Sequence, residues 1–174
     1  MRDIALTLFV FGSLPFIIRK PYYGVLMIAW LGYMNPHRFT WSFAYSMPFA
    51  AAVALATMVG LVMTKERERI PINALVLVWF AWMFWMNVTT VFAADFGGSL
   101  GEWNRAVKIQ LFSLITIVLV RTRMQLNLFV AVVALSVGFF GIKGGVFVIL
   151  TQGNYLVWGP PDSCFEGNNG LACA

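Results

Sequence analysis

Three charged residues stand where an anionic or sugar-bearing ligand could be met. Lys143 lies in Gly138-Phe139-Phe140-Gly141-Ile142-Lys143-Gly144-Gly145, a cation inside an otherwise apolar run. An ionisable group at the centre of a membrane helix costs about 2.5–3.5 kcal/mol on insertion scales, so it marks a functional position unless the side chain can reach an interface. Its place seven residues before Leu150 leaves that second reading open, since a lysine stem can snorkel over such a distance. The pair Gly144-Gly145 adds the expectation of a helix break there, with backbone amides released toward a lipid headgroup or pyrophosphate. Arg38 follows the sole histidine in Asn35-Pro36-His37-Arg38, where a guanidinium fork and a titratable imidazole suit phosphate contact. The simpler reading is a loop histidine with no chemical task. Glu166 belongs to a stretch, 153–169, that mixes Tyr155, Trp158, Asn168 and Asn169 with turn residues. Rings stack on sugars while amides and carboxylates bond hydroxyls; the alternative is an interfacial loop anchored by Tyr155 and Trp158.

Other chemistries find little support. No paired carboxylates at useful spacing, no glycine-rich phosphate loop and no nucleophile with an adjacent base can be read from the chain, so no catalytic residue is assigned. Cys164 and Cys173 form no metal-binding pattern with the one histidine, and neither a metal nor a cofactor is expected.

These residues must be held by elements suited to lipid. Of the 174 residues 60% are hydrophobic and 11% charged, and the mean hydropathy is +0.80, far from the balance of a soluble domain. The net charge of +5 does not imply nucleic acid, because most of the basic residues fall in short clusters (Arg19-Lys20, Lys65/Arg67/Arg69, Arg121/Arg123) just outside apolar runs. Headgroup contact and topology account for that pattern; no nucleic-acid partner is expected, and membrane lipid is. The expected fold is all-α, a polytopic transmembrane helical bundle of about six hydrophobic segments at 4–18, 22–34, 41–63, 72–94, 103–120 and 126–150.

The first two segments are short for a hydrocarbon core of about 30 Å, and either span with snorkelling flanks and local thinning or form a re-entrant hairpin. The hairpin would bury Arg19 and Lys20 at its tip, which favours two spans. The third and fourth are long enough to span outright. Small residues at 50–56 and Gly60 give the third a surface for close helix packing, and Trp79, Trp82 and Trp85 put an aromatic stripe on the fourth that reads as packing. The fifth reaches back to Trp103 if Arg105 and Lys108 snorkel, with Glu102 available to Arg105. Placing the N-terminus outside leaves Arg19, Lys20, Lys65, Arg67, Arg69, Arg121 and Arg123 within, which the excess of basic residues in inner loops favours. The domain reading is a transmembrane helical module at 1–150, an extracytoplasmic loop at 151–170 and the start of a truncated further helix at 171–174.

Several stretches, in order, resemble a known family: the opening Met1-Arg2-Asp3, the turn Leu31-Gly32-Tyr33-Met34-Asn35-Pro36-His37-Arg38, Gly141-Ile142-Lys143-Gly144-Gly145, and Trp158-Gly159-Pro160-Pro161 with Asn168-Asn169. Together they resemble the N-terminal region of the exosortase A-associated O-glycosylation ligases, which are similar to O-antigen ligases, and the match covers essentially the whole chain. The resemblance implies a multi-pass protein of the bacterial inner membrane, acting in transfer of a glycan from an undecaprenyl-pyrophosphate carrier to an acceptor on the periplasmic side, without nucleotide sugar or metal. It also implies that the ligase core lies downstream of the matched region, so that this chain is a module inactive alone, with a downstream ligase segment as a partner. Under that reading Arg38, Lys143 and Glu166 contact the carrier or the glycan. The chain departs from the family pattern in carrying Gly167 directly before the Asn pair, with Glu166 one place earlier. The competing expectation is a non-catalytic membrane scaffold or assembly partner.

Overall fold

The structure is a computed structural model, and it describes residues 2–64 and 73–159. Among these residues every regular element is helical. Six α-helices follow one another as α1 (Arg2–Arg19), α2 (Tyr22–Met34), α3 (Phe49–Met63), α4 (Ala74–Val91), α5 (Phe96–Leu119) and α6 (Arg123–Thr151), with short 3₁₀ turns at Pro36–Phe39 and Phe43–Tyr45. They fall into two compact units, one of Met1–Lys65 with Thr122–Ala174 and one of Glu66–Arg121.

The first unit is held together by α1, α2 and α3, whose buried side chains Val10, Ile17, Leu31, Phe49, Val53 and Ala56 form its core. Pro21 turns α1 into α2, and Asn35 ends α2 in the left-handed conformation (φ 46°) that asparagine tolerates better than most residues. Pro36 then starts the 3₁₀ turn at a position where its missing N–H costs nothing. Two close approaches set the packing. A Cβ on Gly24 of α2 would collide with the Thr57 hydroxyl of α3, and one on Gly60 of α3 would lie 2.8 Å from the carbonyl oxygen of Ile18 in α1. The small-residue surface expected on α3 therefore serves this packing at Ala56, Thr57 and Gly60, while Ala50 and Ala51 remain exposed.

α6 packs along α2, and the Tyr22 hydroxyl donates to the carbonyl of Gln125 at 2.7 Å. The capping box of Thr122 and Gln125 fixes where α6 begins. Within this unit Arg19, Lys20 and Arg123 consequently share one end, and Arg2, Arg38 and Lys143 the other. The second unit is an α4–α5 pair joined by a hydrogen bond from the Trp103 indole to the Asn87 amide oxygen at 2.9 Å.

Three sequence expectations change. The third segment is helical only from Phe49, because Pro48 cannot continue a helix from the preceding turn and the chain at 41–48 folds into the 3₁₀ turn instead. With 15 residues, α3 is about 22 Å long and falls short of spanning outright. α5 starts at Phe96, seven residues earlier than Trp103, because the Asp95 carboxylate caps it by accepting from Gly98 N at 3.0 Å. α6 runs unbroken through Gly144-Gly145, so the expected helix break does not occur. Among the described residues α4 and α6 are long and apolar enough to cross a membrane, and only 6% and 11% of their most apolar windows are buried. Of the tryptophan stripe on α4, Trp79 is half-buried with its ring edge-on to Phe80 at 4.9 Å, and Trp82 and Trp85 are exposed.

Candidate functional site

Phe39, at the end of the Pro36–Phe39 turn, carries the link between the turn and α6. Its ring stacks on Phe140 (centroids 6.0 Å apart, 24° between planes) and meets Phe139 edge-on at 6.1 Å. Lys143 stands one turn beyond Phe140 on the same helix face, and its Nζ lies 5.1 Å from the centre of the Phe39 ring. The neighbouring Arg38 guanidinium lies over the Tyr45 ring at 4.6 Å. A clamp of rings thus brings together two cations that are 105 positions apart in sequence.

The other wall comes from the end of α6. Gln152 (φ 52°) and Gly153 (φ 77°) are consecutive left-handed residues, with Gly153 N donating to the carbonyl of Val148 at 3.0 Å. This cap reverses the chain so that residues 156–159 return beside the last turns of the helix. Between them lies a cavity of about 420 Å³, lined by Arg38, Phe39, Lys143 and Phe147 on one side and by Leu156 and Trp158 on the other. That size is ordinary for a ligand pocket. Among the described residues lining it none is acidic, so the local charge is positive.

Arg38 and Lys143, singled out from sequence for different reasons, therefore meet in one cavity, and Trp158 joins them. Lys143 is exposed and forms no ion pair among the described residues. Glu166, the third such residue, lies outside the described residues, as do Cys164 and Cys173. His37 does not line the cavity: its ring faces Phe49, with centroids 6.4 Å apart, and its buried Nδ1 has no hydrogen-bond partner. Burial, and then the charge of Arg38, hold its pKa below the usual imidazole value. Phe39, Phe140 and Phe147 were missed in the sequence. The spacing 140, 143, 147 marks a helix face, but nothing in sequence says that residue 39 comes to it.

A second, shallower cavity, of about 480 Å³, belongs to the α4–α5 unit and is lined by Thr89, Thr90, Asp95, Ser99, Glu102 and Trp103. Its hydroxyls are engaged locally, Thr90 with the Met86 carbonyl (2.8 Å) and Ser99 with that of Asp95 (2.6 Å). Glu102 and Arg105 pair at 3.7 Å with both side chains exposed, an arrangement of little energetic weight. The cavity beside Lys143 is the stronger candidate.

A family model described as a family of unknown function, DUF5935, matches residues 1–171. No curated protein and no solved structure matches the chain.

Proposed function

We propose, from the premise that the chain belongs to the family of unknown function DUF5935, that it is a multi-pass membrane module of a glycan-transfer system that engages an undecaprenyl-pyrophosphate-linked glycan. The observation that carries the reading is the meeting of Arg38 and Lys143 in one cavity walled by rings. A diphosphate asks for several positive donors, and a guanidinium beside an ammonium supplies both a planar fork and a point charge. Trp158 and Phe39 offer faces on which a sugar ring can stack next to the phosphates. The module's part is to bind and orient the donor: the described lining supplies cations and rings, and among the described residues neither a carboxylate nor an imidazole lines it.

A membrane setting is supported by the surface. Leu75 and Phe84 on α4, Phe92 at its C-terminal cap, and Ile142, Ile149 and Leu150 on α6 are each at least 70% exposed, large apolar side chains that lipid would cover. The proposed topology has six spans in the bacterial inner membrane with the N-terminus outside. In the first unit the grouping of Arg19 and Lys20 with Arg123, away from Arg38 and Lys143, supports it. The shorter α2 and α3 then sit in locally thinned bilayer, next to longer neighbours.

The test is glycan transfer in the organism that makes this chain. Replacing both Arg38 and Lys143 by alanine is expected to lower transfer to acceptor at least tenfold, with the protein still present in the membrane at its usual level. Transfer unchanged in the double variant sinks the reading. Transfer unchanged together with loss of a co-purifying membrane protein favours the scaffold role instead, which the exposed Trp82 and Trp85 of α4 would serve.

A further inference from the structure

Phe39 lines more than the cavity beside Lys143. A second groove of about 390 Å³ shares Phe39 with it and continues past Arg2, Leu6 and Thr40 to Phe9 and Trp30. A third, of about 500 Å³, shares Phe9 and Trp30 with the second and continues to Phe16 and Tyr23. Neighbouring cavities thus share lining residues, all three lie within the first compact unit, and taken end to end they mark out a track.

The track has a register. Leu6, Phe9, Ser13 and Phe16 recur every three or four residues along α1, and Tyr23, Leu26 and Trp30 do the same along the antiparallel α2. Each set is one face of its helix. The Phe9 ring meets Trp30 edge-on at 5.7 Å, and Phe16 meets Tyr23 at 4.8 Å, so rings from the two helices form the floor. From Arg2 to Phe16 the track covers about 14 residue steps, roughly 20 Å at 1.5 Å per residue. Charge is confined to one end, where Arg2, Arg38 and Lys143 stand; beyond Leu6 no lining side chain is charged.

We propose that this track holds a single-chain anionic lipid, its phosphate-bearing head between Arg38 and Lys143 and its hydrocarbon chain laid along the facing stripes of α1 and α2. The commitment to one chain follows from the lining beyond the mouth, a single helix pair with only Val132 of α6 added, and the commitment to an anion follows from the charge at its mouth. The head position rests on the functional reading given above; the chain position does not.

The test uses the full chain in nanodiscs of phosphatidylcholine, with hexadecyl phosphate, inorganic phosphate and hexadecanol as probes. Hexadecyl phosphate is expected to bind at least tenfold more tightly than either of the others. Leu26→Trp, which fills the groove, is expected to remove that advantage while leaving inorganic phosphate binding unchanged. Lys143→Ala is expected to weaken both phosphates and leave hexadecanol unchanged. Val132→Trp fills the groove from the opposite wall, and a photoreactive group at the end of the alkyl chain reports without any substitution by labelling α1 or α2 peptides. Labelling confined to α4 or α5, or hexadecyl phosphate binding no tighter than inorganic phosphate, overturns the proposal. So does equal competition by two-chained phosphatidylglycerol, which would make the occupant any anionic bilayer lipid. If the chain-filling variants lose hexadecyl phosphate while the Arg38/Lys143 double variant leaves glycan transfer intact, the lipid track stands and the glycan-transfer reading falls.

Discussion

Lys143 was legible because a cation is conspicuous against an apolar background and costly to leave in lipid, and Arg38 because it stands beside the sole histidine in a polar turn. Their meeting was not legible, because it depends on Phe39 stacking on Phe140, and an aromatic residue carries no mark of its partner a hundred positions away. His37 shows the opposite case. Beside Arg38 it could serve as a phosphate contact, though on the simpler reading of the sequence it has no chemical task; in the fold the imidazole turns to Phe49 and its Nδ1 goes without a partner. Its lowered pKa has a definite sign. The unfolded chain takes up the proton first, so stability is full above the unfolded value of about 6.5 and is lost as pH falls through that value toward the folded one. The thermal midpoint in detergent is therefore expected to fall between about pH 7.5 and about pH 5.5, and His37→Phe, which keeps a ring against Phe49, is expected to flatten part of that fall. A slope identical in the variant would mean that other groups carry it all.

At the scale of elements, apolar runs bounded by charges located all six helices, and the ends that were misplaced have local causes. α3 loses its first turns to Pro48, and α5 gains two turns because the Asp95 cap outweighs the low helix propensity of Gly97 and Gly98. Helix contacts were legible only as a tendency toward small residues; which glycine meets which helix required the fold. Gly24→Ala and Gly60→Ala are each expected to destabilise the first unit by about 1–3 kcal/mol through overpacking. Neither site can relax by a simple rotation: at Gly60 the added carbon would meet the backbone of Ile17 and Ile18, and at Gly24 it would meet the Cβ of Thr57 as well as a hydroxyl held to the Val53 carbonyl. Gly12→Ala is the control: nothing lies within 4 Å of its added carbon, and a helix-interior glycine replaced by alanine gains up to about 1 kcal/mol. Chemical denaturation in mixed micelles gives the ranking; equal losses at all three positions would refute the close-packing account.

At the scale of the whole molecule, the proposed topology places the stretch after α6 outside the inner membrane. In a Cys173→Ser background, Cys164 is expected to react with a membrane-impermeant maleimide once the outer membrane alone is opened; reaction only after the inner membrane is breached would reverse the topology. The length of α6 then has a consequence for the site. Its 29 residues make a rod of about 43 Å against a hydrocarbon layer of about 30 Å, so the helix must tilt or protrude. Measured from Arg123, which is held at the basic end, Lys143 comes about 20 residue steps along the rod, or about 30 Å. The helix is thus a depth gauge. With Arg123 at one headgroup layer and the helix upright, the ammonium of Lys143 reaches the other, and tilt is what keeps the exposed apolar side chains of the last two turns, Ile149 and Leu150 among them, in lipid. Bilayer thickness becomes a setting of the site: a thicker membrane would draw Lys143 below the headgroups and submerge the mouth of the cavity, while a thinner one would lift it clear.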